Sequence, residues 1–259
     1  MEDDVGSEGR LGSKVAVVSG GGQGIGRGVA LAFAGEGANV AILDLTVEKS
    51  GLVARECEAR GPDAIGLRCD VAERAEVDEA VRVVVERFGR IDVVVTAALP
   101  KIAVEPFEVT SAERMEKLWR VGFLGVTNVM QSCLPYLKSG GGRVINFGSG
   151  AGIGAARGYA AYGPVKEAVR AITRIAAREW GQYGINVNAI CPFAKSDQFD
   201  EWAEANPGQA RAALEGTVLA RAGDPEHDIG RVAVFLASDD AAFITGHSLM
   251  VDGGQSMPL

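Results

Sequence analysis

Residues 15–26 read Val15-Ala-Val-Val-Ser-Gly-Gly-Gly-Gln-Gly-Ile-Gly26, a short apolar stretch that runs into a glycine-rich turn. The following segment, Arg27-Gly-Val-Ala-Leu-Ala-Phe-Ala34, is typical of a helix. Glycines at positions 20, 24 and 26 would let the backbone approach a pyrophosphate and let the helix pack closely on the sheet. The N–H groups at the helix N-terminus would then face the phosphates. This order of strand, turn and helix predicts the first unit of a dinucleotide-binding sheet.

Further apolar stretches alternate with helical patterns along the chain. They predict strands near 15–19, 39–43, 64–68, 92–96, 143–147, 185–190 and 248–251. Strands separated by helices are typical of repeated βαβ units and of a parallel sheet. With 259 residues and 47% hydrophobic content, the chain can bury one large core. We expect one α/β domain over residues 12–259, a Rossmann-like doubly wound parallel sheet of about seven strands with helices on both faces.

Two acidic residues stand at predicted strand ends. Asp44 closes the second strand, where a carboxylate accepts hydrogen bonds from an adenosine ribose and repels the extra phosphate of NADP, which favours NAD. Asp70 follows the third strand and could bind the adenine amino group. Alternatives stay open at both positions: Asp44 could form a turn or cap the next helix, and Asp70 could be a helix N-cap.

The segment from Ser149 to Lys166 brings together three side chains that can handle one proton. Tyr162 and Lys166 are four residues apart, so on a helix they share a face. The ammonium would lower the pKa of the phenol toward neutrality. Such a phenol could exchange a proton with a carbonyl or alcohol oxygen that a serine hydroxyl, here Ser149, holds in place. The alternative is an exposed helix that carries a tyrosine and a lysine by chance.

Composition limits the classes of partner. The net charge is −8 and the basic residues are scattered, which argues against nucleic acid and anionic membrane. The four cysteines have no C-x-x-C spacing and only two histidines accompany them, so we expect neither a metal site nor a disulfide framework. Residues 1–11 are acidic and polar, unlike a secretion signal, and no apolar run reaches a bilayer's span. We expect a disordered leader on a cytoplasmic protein.

The glycine-rich turn, Asp44, Ser149, Tyr162 and Lys166, in this order, make the chain resemble the short-chain dehydrogenase/reductase family. The resemblance runs from about Gly12 to Gly254. It implies that Ser149 and Tyr162 bind the reacting oxygen, that Tyr162 is the acid/base, and that Lys166 lowers the pKa of that tyrosine and holds the nicotinamide ribose. The cofactor contacts that we expect are Gly20, Gln23, Gly24, Ile25, Gly26, Asp44, Leu45, Asp70, Val71, Ala97, Ala98, Tyr162, Lys166 and Pro192.

Three departures from the family pattern lie near the reaction centre. Where the family usually has Asn-Asn-Ala-Gly, this chain has Thr96-Ala97-Ala98-Leu99, in which Thr96 keeps one hydrogen bond and Leu99 adds bulk. The family's catalytic Asn, which holds a water between the lysine and solvent, is replaced by Gly122, and we expect the glycine to leave room for a substitute water. The family's Pro-Gly after the sixth strand is Pro192-Phe193 here.

Apolar side chains mark the expected substrate pocket and a lid near 193–219. The pocket residues are Leu99, Ile153, Tyr159, Phe193, Phe199 and Trp202. Phe199 and Trp202 could instead dock the lid on the domain or bury a subunit contact.

The expected function is an NAD-dependent oxidoreductase of an apolar secondary alcohol or ketone, alicyclic, terpenoid or steroid-like. The alternative is a nucleotide-binding member of the same fold without redox turnover, acting as a binding or scaffold subunit. The resemblance also implies a homotetramer, with a dimer next, through outer faces of helices near 112–137 and 160–183.

Overall fold

A computed structural model describes residues 9–256, except for the side chains of residues 197 and 198. Buried apolar runs form seven strands, and each begins within one residue of its predicted start. Their bounds are β1 Val15–Ser19, β2 Asn39–Asp44, β3 Ala64–Arg68, β4 Val93–Thr96, β5 Gly142–Phe147, β6 Ile185–Pro192 and β7 Ser248–Val251.

Helices connect the strands and cover the sheet. Their bounds are α1 Gly24–Gly35, α2 Val47–Glu58, α3 Arg74–Phe88, α4 Ala112–Trp119, α5 Gly125–Leu137, α6 Gly150–Ile153, α7 Gly163–Trp180, α8 Asp197–Ala205, α9 Pro207–Glu215 and α10 Arg231–Ala237. A π-helical turn, Arg120–Leu124, joins α4 to α5, and a second one, Pro225–Gly230, precedes α10. Short 3₁₀ turns cover Phe107–Val109, Gly181–Tyr183 and Asp239–Ala241.

The sheet is parallel throughout, with strand order β3-β2-β1-β4-β5-β6-β7. The order reverses between β1 and β4, where Ser19 pairs with Thr96. All carboxyl ends lie along one edge, and in such sheets ligands bind at that edge, at the point of reversal. The predicted doubly wound α/β fold is confirmed.

Two large apolar clusters fill the spaces between the sheet and its two layers of helices. In α7 the buried positions include Val165, Val169 and Thr173, which recur every four residues; Val169 and Thr173 face the sheet, and Val165 packs with Leu118 and Ala161. The same spacing turns Arg174 and Arg178 toward solvent. The β1 strand is buried along its whole length, as expected for the centre of a parallel sheet.

The chain start packs against the domain, and the predicted lid is helical. Residues 1–8 of the expected leader lie outside the described residues. The last residue of that leader, Leu11, is fully buried, and its amide donates to the carbonyl oxygen of Glu36 at 2.9 Å. The 193–219 segment contains α8 and α9. Among the residues described, no helix is long and apolar enough to cross a membrane.

Candidate active site

Ser149 lies just past the carboxyl end of β5, where the chain leaves the sheet. Its hydroxyl oxygen accepts the amide of Ala151 at 3.1 Å and so caps the short helix α6. The residue is only 7% exposed. A buried strand end followed by a helix start therefore fixes the hydroxyl at the ligand-binding edge of the sheet.

Tyr162 and Lys166 lie at the start of α7, and the helix brings them to one face as predicted. Lys166 is 6% exposed, and its ammonium donates to the carbonyl oxygen of Phe147 at 2.8 Å. The same nitrogen lies 5.7 Å from the centroid of the Tyr162 ring. A hydrogen bond links Tyr162 to Ser149. The three predicted catalytic side chains therefore converge.

Burial controls the proton affinities of this cluster. It raises the pKa of Tyr162 to about 12, against an opposing effect of the hydrogen bond with Ser149. It lowers the pKa of Lys166 to about 8. The expected lowering of the Tyr162 pKa toward neutrality is therefore wrong for this structure, because desolvation outweighs the lowering effect of the hydrogen bond with Ser149.

The glycine-rich turn makes close backbone contacts that side chains would prevent. A β-carbon on Gly20 would lie 2.5 Å from the backbone of Ala98, and one on Gly26 would lie 2.2 Å from the carbonyl oxygen of Gly20. In the described chain, Gln23 gives no side-chain cap to α1 and no acidic residue lies in its first turn. These residues fit a dinucleotide, because the positive helix end is left for an anion.

Asp44 holds the turn from the neighbouring strand. Its Oδ2 accepts the amide of Gly22 at 3.0 Å, and its Oδ1 accepts the amide of Thr46 at 3.0 Å. The second bond is the turn-forming role that the sequence left open. The first holds the carboxylate against the glycine-rich turn. The ammonium of Lys49 contacts the side-chain oxygen of Gln23 and brings a positive charge to the same corner.

Asp70 does not cap α3. Its Oδ1 accepts the amide of Ala72 at 2.9 Å, while Glu73 occupies the N-cap position of the helix. Asp70 therefore forms the turn before α3. Its neighbour Val71 is buried, and the carbonyl oxygen of Val71 accepts the amide group of Asn128 at 2.9 Å.

Thr96 keeps the strand-to-strand link expected of it. Its hydroxyl donates to Asn146 Oδ1 at 2.7 Å, and Asn146 Nδ2 donates to the hydroxyl of Thr173 at 2.9 Å. Asn146 and Thr173 were not predicted from the sequence, although a polar residue inside an otherwise apolar strand was a usable signal for Asn146. Ala97 continues from β4, and its amide donates to Ser19 O at 2.9 Å.

Leu99 and Gly122 contradict the expected space for a water. Gly122 is buried in the π-helical turn, and a β-carbon there would lie 2.8 Å from Val165 Cγ1 and 3.1 Å from Leu99 Cδ1. Leu99 also packs in an apolar cluster that Tyr162 joins. The added bulk of Leu99 is therefore directed at the glycine, and the space beside Gly122 is filled by apolar carbon.

The predicted pocket residues come from three segments. Phe193, Phe199 and Trp202 form a chain of rings with centroid separations of 5.7 and 5.8 Å, so Phe199 does dock α8 on the end of β6. The ring of Tyr159 lies 5.7 Å from that of Tyr162. Ile153 is the half-buried last residue of α6.

Three further predicted contacts lie at the carboxyl edge of the sheet, where the cofactor and substrate cleft is expected. Pro192 is the half-buried end of β6, and Ile25 is half-buried in the first turn of α1. Leu45 is 59% exposed in the turn after β2.

Two contacts across the cleft were not predicted. Lys101 Nζ lies 2.5 Å from Glu201 Oε2, which links the loop after β4 to α8. The β-carbon that Gly24 lacks would lie 3.6 Å from the Ser196 side chain, at the start of α8. The predicted lid therefore contacts both the glycine-rich turn and the loop after β4. Within residues 9–256, no group of three or more potential ligand side chains could hold a metal ion.

Comparison with known proteins gives consistent matches along the chain. Residues 20–256 match the family model described as enoyl-(acyl carrier protein) reductase. The chain is 38% identical to a 12alpha-hydroxysteroid dehydrogenase of Clostridium sp., covering 93% of this chain and 96% of that one. It is 37% identical to an L-fucose dehydrogenase of Oryctolagus cuniculus, covering 96% and 87%. The solved structure of an NAD+-bound xylitol dehydrogenase superposes with a TM-score of 0.89 at 28% identity, covering 94% and 99%.

Proposed function

The chain belongs to the short-chain dehydrogenase/reductase family of oxidoreductases, and we propose that it transfers a hydride between NAD(H) and an apolar secondary alcohol or ketone. The observation that carries this proposal is the convergence of Ser149, Tyr162 and Lys166 at the carboxyl edge of the sheet. A chain without redox turnover would have no physical reason to assemble these three groups beside a dinucleotide turn.

The three residues have different roles in the reaction at the substrate oxygen atom. The hydroxyl of Ser149 positions the substrate oxygen by a hydrogen bond. Tyr162, with its pKa near 12, holds its proton at neutral pH and can donate it to a carbonyl oxygen. Lys166 keeps a positive charge beside Tyr162 and, as the family resemblance implies, would bind a ribose hydroxyl of the cofactor. A bound nicotinamide would donate or accept the hydride. Alcohol oxidation runs the same proton transfer in reverse and returns the proton to Tyr162.

The preference for NAD over NADP rests on the charge of Asp44. Its carboxylate stands at the glycine-rich turn through the bond to Gly22, where the adenosine ribose would lie. A phosphate on that ribose would meet a second anion. Lys49 would act against this preference, because its ammonium contacts Gln23 in the glycine-rich turn and would attract the extra phosphate of NADP. We infer that Asp44 prevails, since both of its oxygens are fixed by main-chain amides.

The side chains that line the expected pocket support an apolar substrate. Phe193, Phe199 and Trp202 place three aromatic rings along the lid side, and Leu99 and Ile153 add aliphatic carbon. Ligand pockets are lined mainly by such groups, and a few polar groups fix orientation. The similarity to a hydroxysteroid dehydrogenase supports a fused-ring alcohol as substrate. The similar L-fucose and xylitol dehydrogenases are named for polar substrates, so they favour the alternative substrate class.

A direct test is a panel of three substrate classes with NAD and NADP, followed by absorbance of the reduced cofactor. The panel holds hydroxysteroids, alicyclic secondary alcohols, and sugars or polyols. We expect turnover with the first two classes and NAD. Turnover confined to the sugars would overturn the apolar assignment. Thermal stabilisation by NAD without any turnover would instead favour the non-redox nucleotide-binding protein.

We further propose a homotetramer in the cytoplasm. An apolar groove between α4 and α7 supports self-association, and Trp119 in it is 40% exposed. The groove is lined by Met115, Glu116, Trp119, Ala160, Ala161, Pro164 and Val165.

The proposed cytoplasmic location is supported by the four cysteines, which are all buried and unpaired.

A further inference from the structure

The space beside Gly122 is occupied by side chains from two other segments, Val165 and Leu99. Gly122 lies in a π-helical turn, a local widening of the helix that often occurs at functional sites. The β-carbon that this glycine lacks would overlap Val165, which is 2% exposed and directly precedes Lys166. It would also meet Leu99 Cδ1 at 3.1 Å. The glycine is therefore required by the side chains that face it.

The side chain of Leu99 comes from the loop after β4, far from Gly122 in sequence. It packs with Leu118, Ala161 and Val165 in the small cluster that Tyr162 also contacts. Ala161 and Val165 directly precede Tyr162 and Lys166 in the chain, so the cluster borders the face of α7 that carries these two titrating residues. A leucine in that position presents carbon where a polar side chain or a water could have contacted the helix.

Lys166 is shielded from solvent. The residue is 6% exposed, and its ammonium donates to a main-chain oxygen on β5. Burial lowers its pKa to about 8, as expected where water is excluded. The titratable groups that face Lys166 are Tyr162 on the same helix and the thiol of Cys191 on β6. Burial raises the pKa of both groups. Cys191 raises the Lys166 pKa and does not account for the lowering.

We propose that Leu99 is a positioning residue: its side chain closes the space beside Gly122, so that Lys166 meets water and exchanges protons only through the cleft. The consequence for catalysis rests on the proposed function. Each ketone reduction removes one proton from Tyr162, and water entering through the cleft must restore it. Proton return is then tied to cleft opening and product release.

The ionisation of Lys166 can be measured without turnover. The protein and its Lys166→Met variant are melted over a range from about pH 6 to about pH 10, and the difference in melting temperature reports the charge of the lysine. The same pair is prepared in three backgrounds. Leu99→Ala opens the space, Leu99→Met keeps the bulk, and Leu124→Ala truncates an exposed leucine of the same π-helical turn.

We expect Leu99→Ala to raise the pH midpoint of this difference by about one unit or more, since water then solvates the ammonium. Leu99→Met and Leu124→Ala should leave it unchanged. The pH profile of kcat/KM should move by the same amount in Leu99→Ala alone. If Leu99→Ala does not fold, Leu99→Val should give a smaller shift in the same direction.

The outcomes separate the two proposals. An unchanged midpoint in Leu99→Ala, or an equal shift in Leu124→Ala, overturns the closure by Leu99 whether or not the protein turns over substrate. A shifted midpoint in a protein without turnover supports the closure and rejects the redox function. A shifted midpoint with an unmoved kcat/KM profile overturns the link between the closure and catalysis.

Discussion

The ammonium nitrogen of Lys166 lies 2.8 Å from the carbonyl oxygen of Phe147, the last residue of β5. This bond ties the first turn of α7 to the strand end that also carries Ser149. It keeps a positive charge in a buried place where desolvation penalises it. The buried charge therefore lowers the free energy of unfolding, and this loss should be visible in the pH dependence of unfolding.

Lys166→Met should therefore stabilise the protein at neutral pH, on the order of 2 kcal/mol. Below about pH 8 the lysine is protonated in both states and the penalty is complete. Between about pH 8 and its unfolded pKa near 10.5, only the unfolded chain keeps the proton, so stability rises with pH. Urea unfolding should show the advantage of the variant shrinking through this window. A constant advantage at all pH values would contradict a lowered pKa for Lys166.

Tyr162→Phe should lower turnover by about 10²- to 10⁴-fold, because it deletes only the oxygen that transfers the proton. NAD should still raise the melting temperature of the variant. The control is Tyr159→Phe, which removes the hydroxyl of the neighbouring ring, 5.7 Å away between centroids, and should have little effect on kcat. Equal losses in both variants would show that the two hydroxyls are not distinguished by the reaction.

Asp44→Asn should narrow the preference for NAD over NADP by about tenfold, since it removes one charge and keeps the side-chain shape. The measurement is the dissociation constant of each cofactor by thermal shift. Lys49→Met should act in the opposite direction and weaken NADP more than NAD. An unchanged ratio in Asp44→Asn would leave the carboxylate as a turn former only.

The sequence predicted the strands well because buried parallel strands are continuous apolar runs bounded by turns. It placed the end of β6 near residue 190, but pairing with β7 carries the strand to Pro192, opposite Val251. The Tyr162–Lys166 pair was predictable because helix periodicity alone brings residues four apart together. The partner of Lys166 was not, because a main-chain carbonyl has no signature in the sequence.

The Leu99–Gly122 contact could not be predicted either. It joins a loop and a π-helical turn that only the tertiary fold brings together. A glycine in sequence suggests open space, whereas the packed structure shows whether a neighbour has filled it. The expectation of a water at Gly122 failed for this reason.

Trp119→Glu should break the assembly into smaller units, as measured by light scattering at micromolar concentration. The substitution puts a charge into the apolar groove between α4 and α7, where burial against a second copy would be costly. The control is Leu52→Glu on α2, an exposed leucine on another surface, which should leave the mass unchanged. A monomeric parent protein would refute the proposed tetramer.

Glu201→Gln should speed cofactor release by about two- to fivefold, a size in keeping with loss of one exposed ion pair. The Lys101–Glu201 pair joins the loop after β4 to α8, so it opposes opening of the predicted lid although it adds little to overall stability. Added salt screens such a pair. Stopped-flow release of NADH from the parent protein should therefore accelerate with salt, whereas release from Glu201→Gln should start faster and respond less.

The matched control for the lid is Glu215→Gln. It removes an ion pair of similar exposure, Arg211–Glu215, that lies within α9 and does not cross the cleft. Release from this variant should keep both the rate and the salt response of the parent, because no contact between lid and loop is lost. If Glu215→Gln speeds release as much as Glu201→Gln does, the effect comes from the net charge of the lid, and the Lys101–Glu201 pair does not hold it closed.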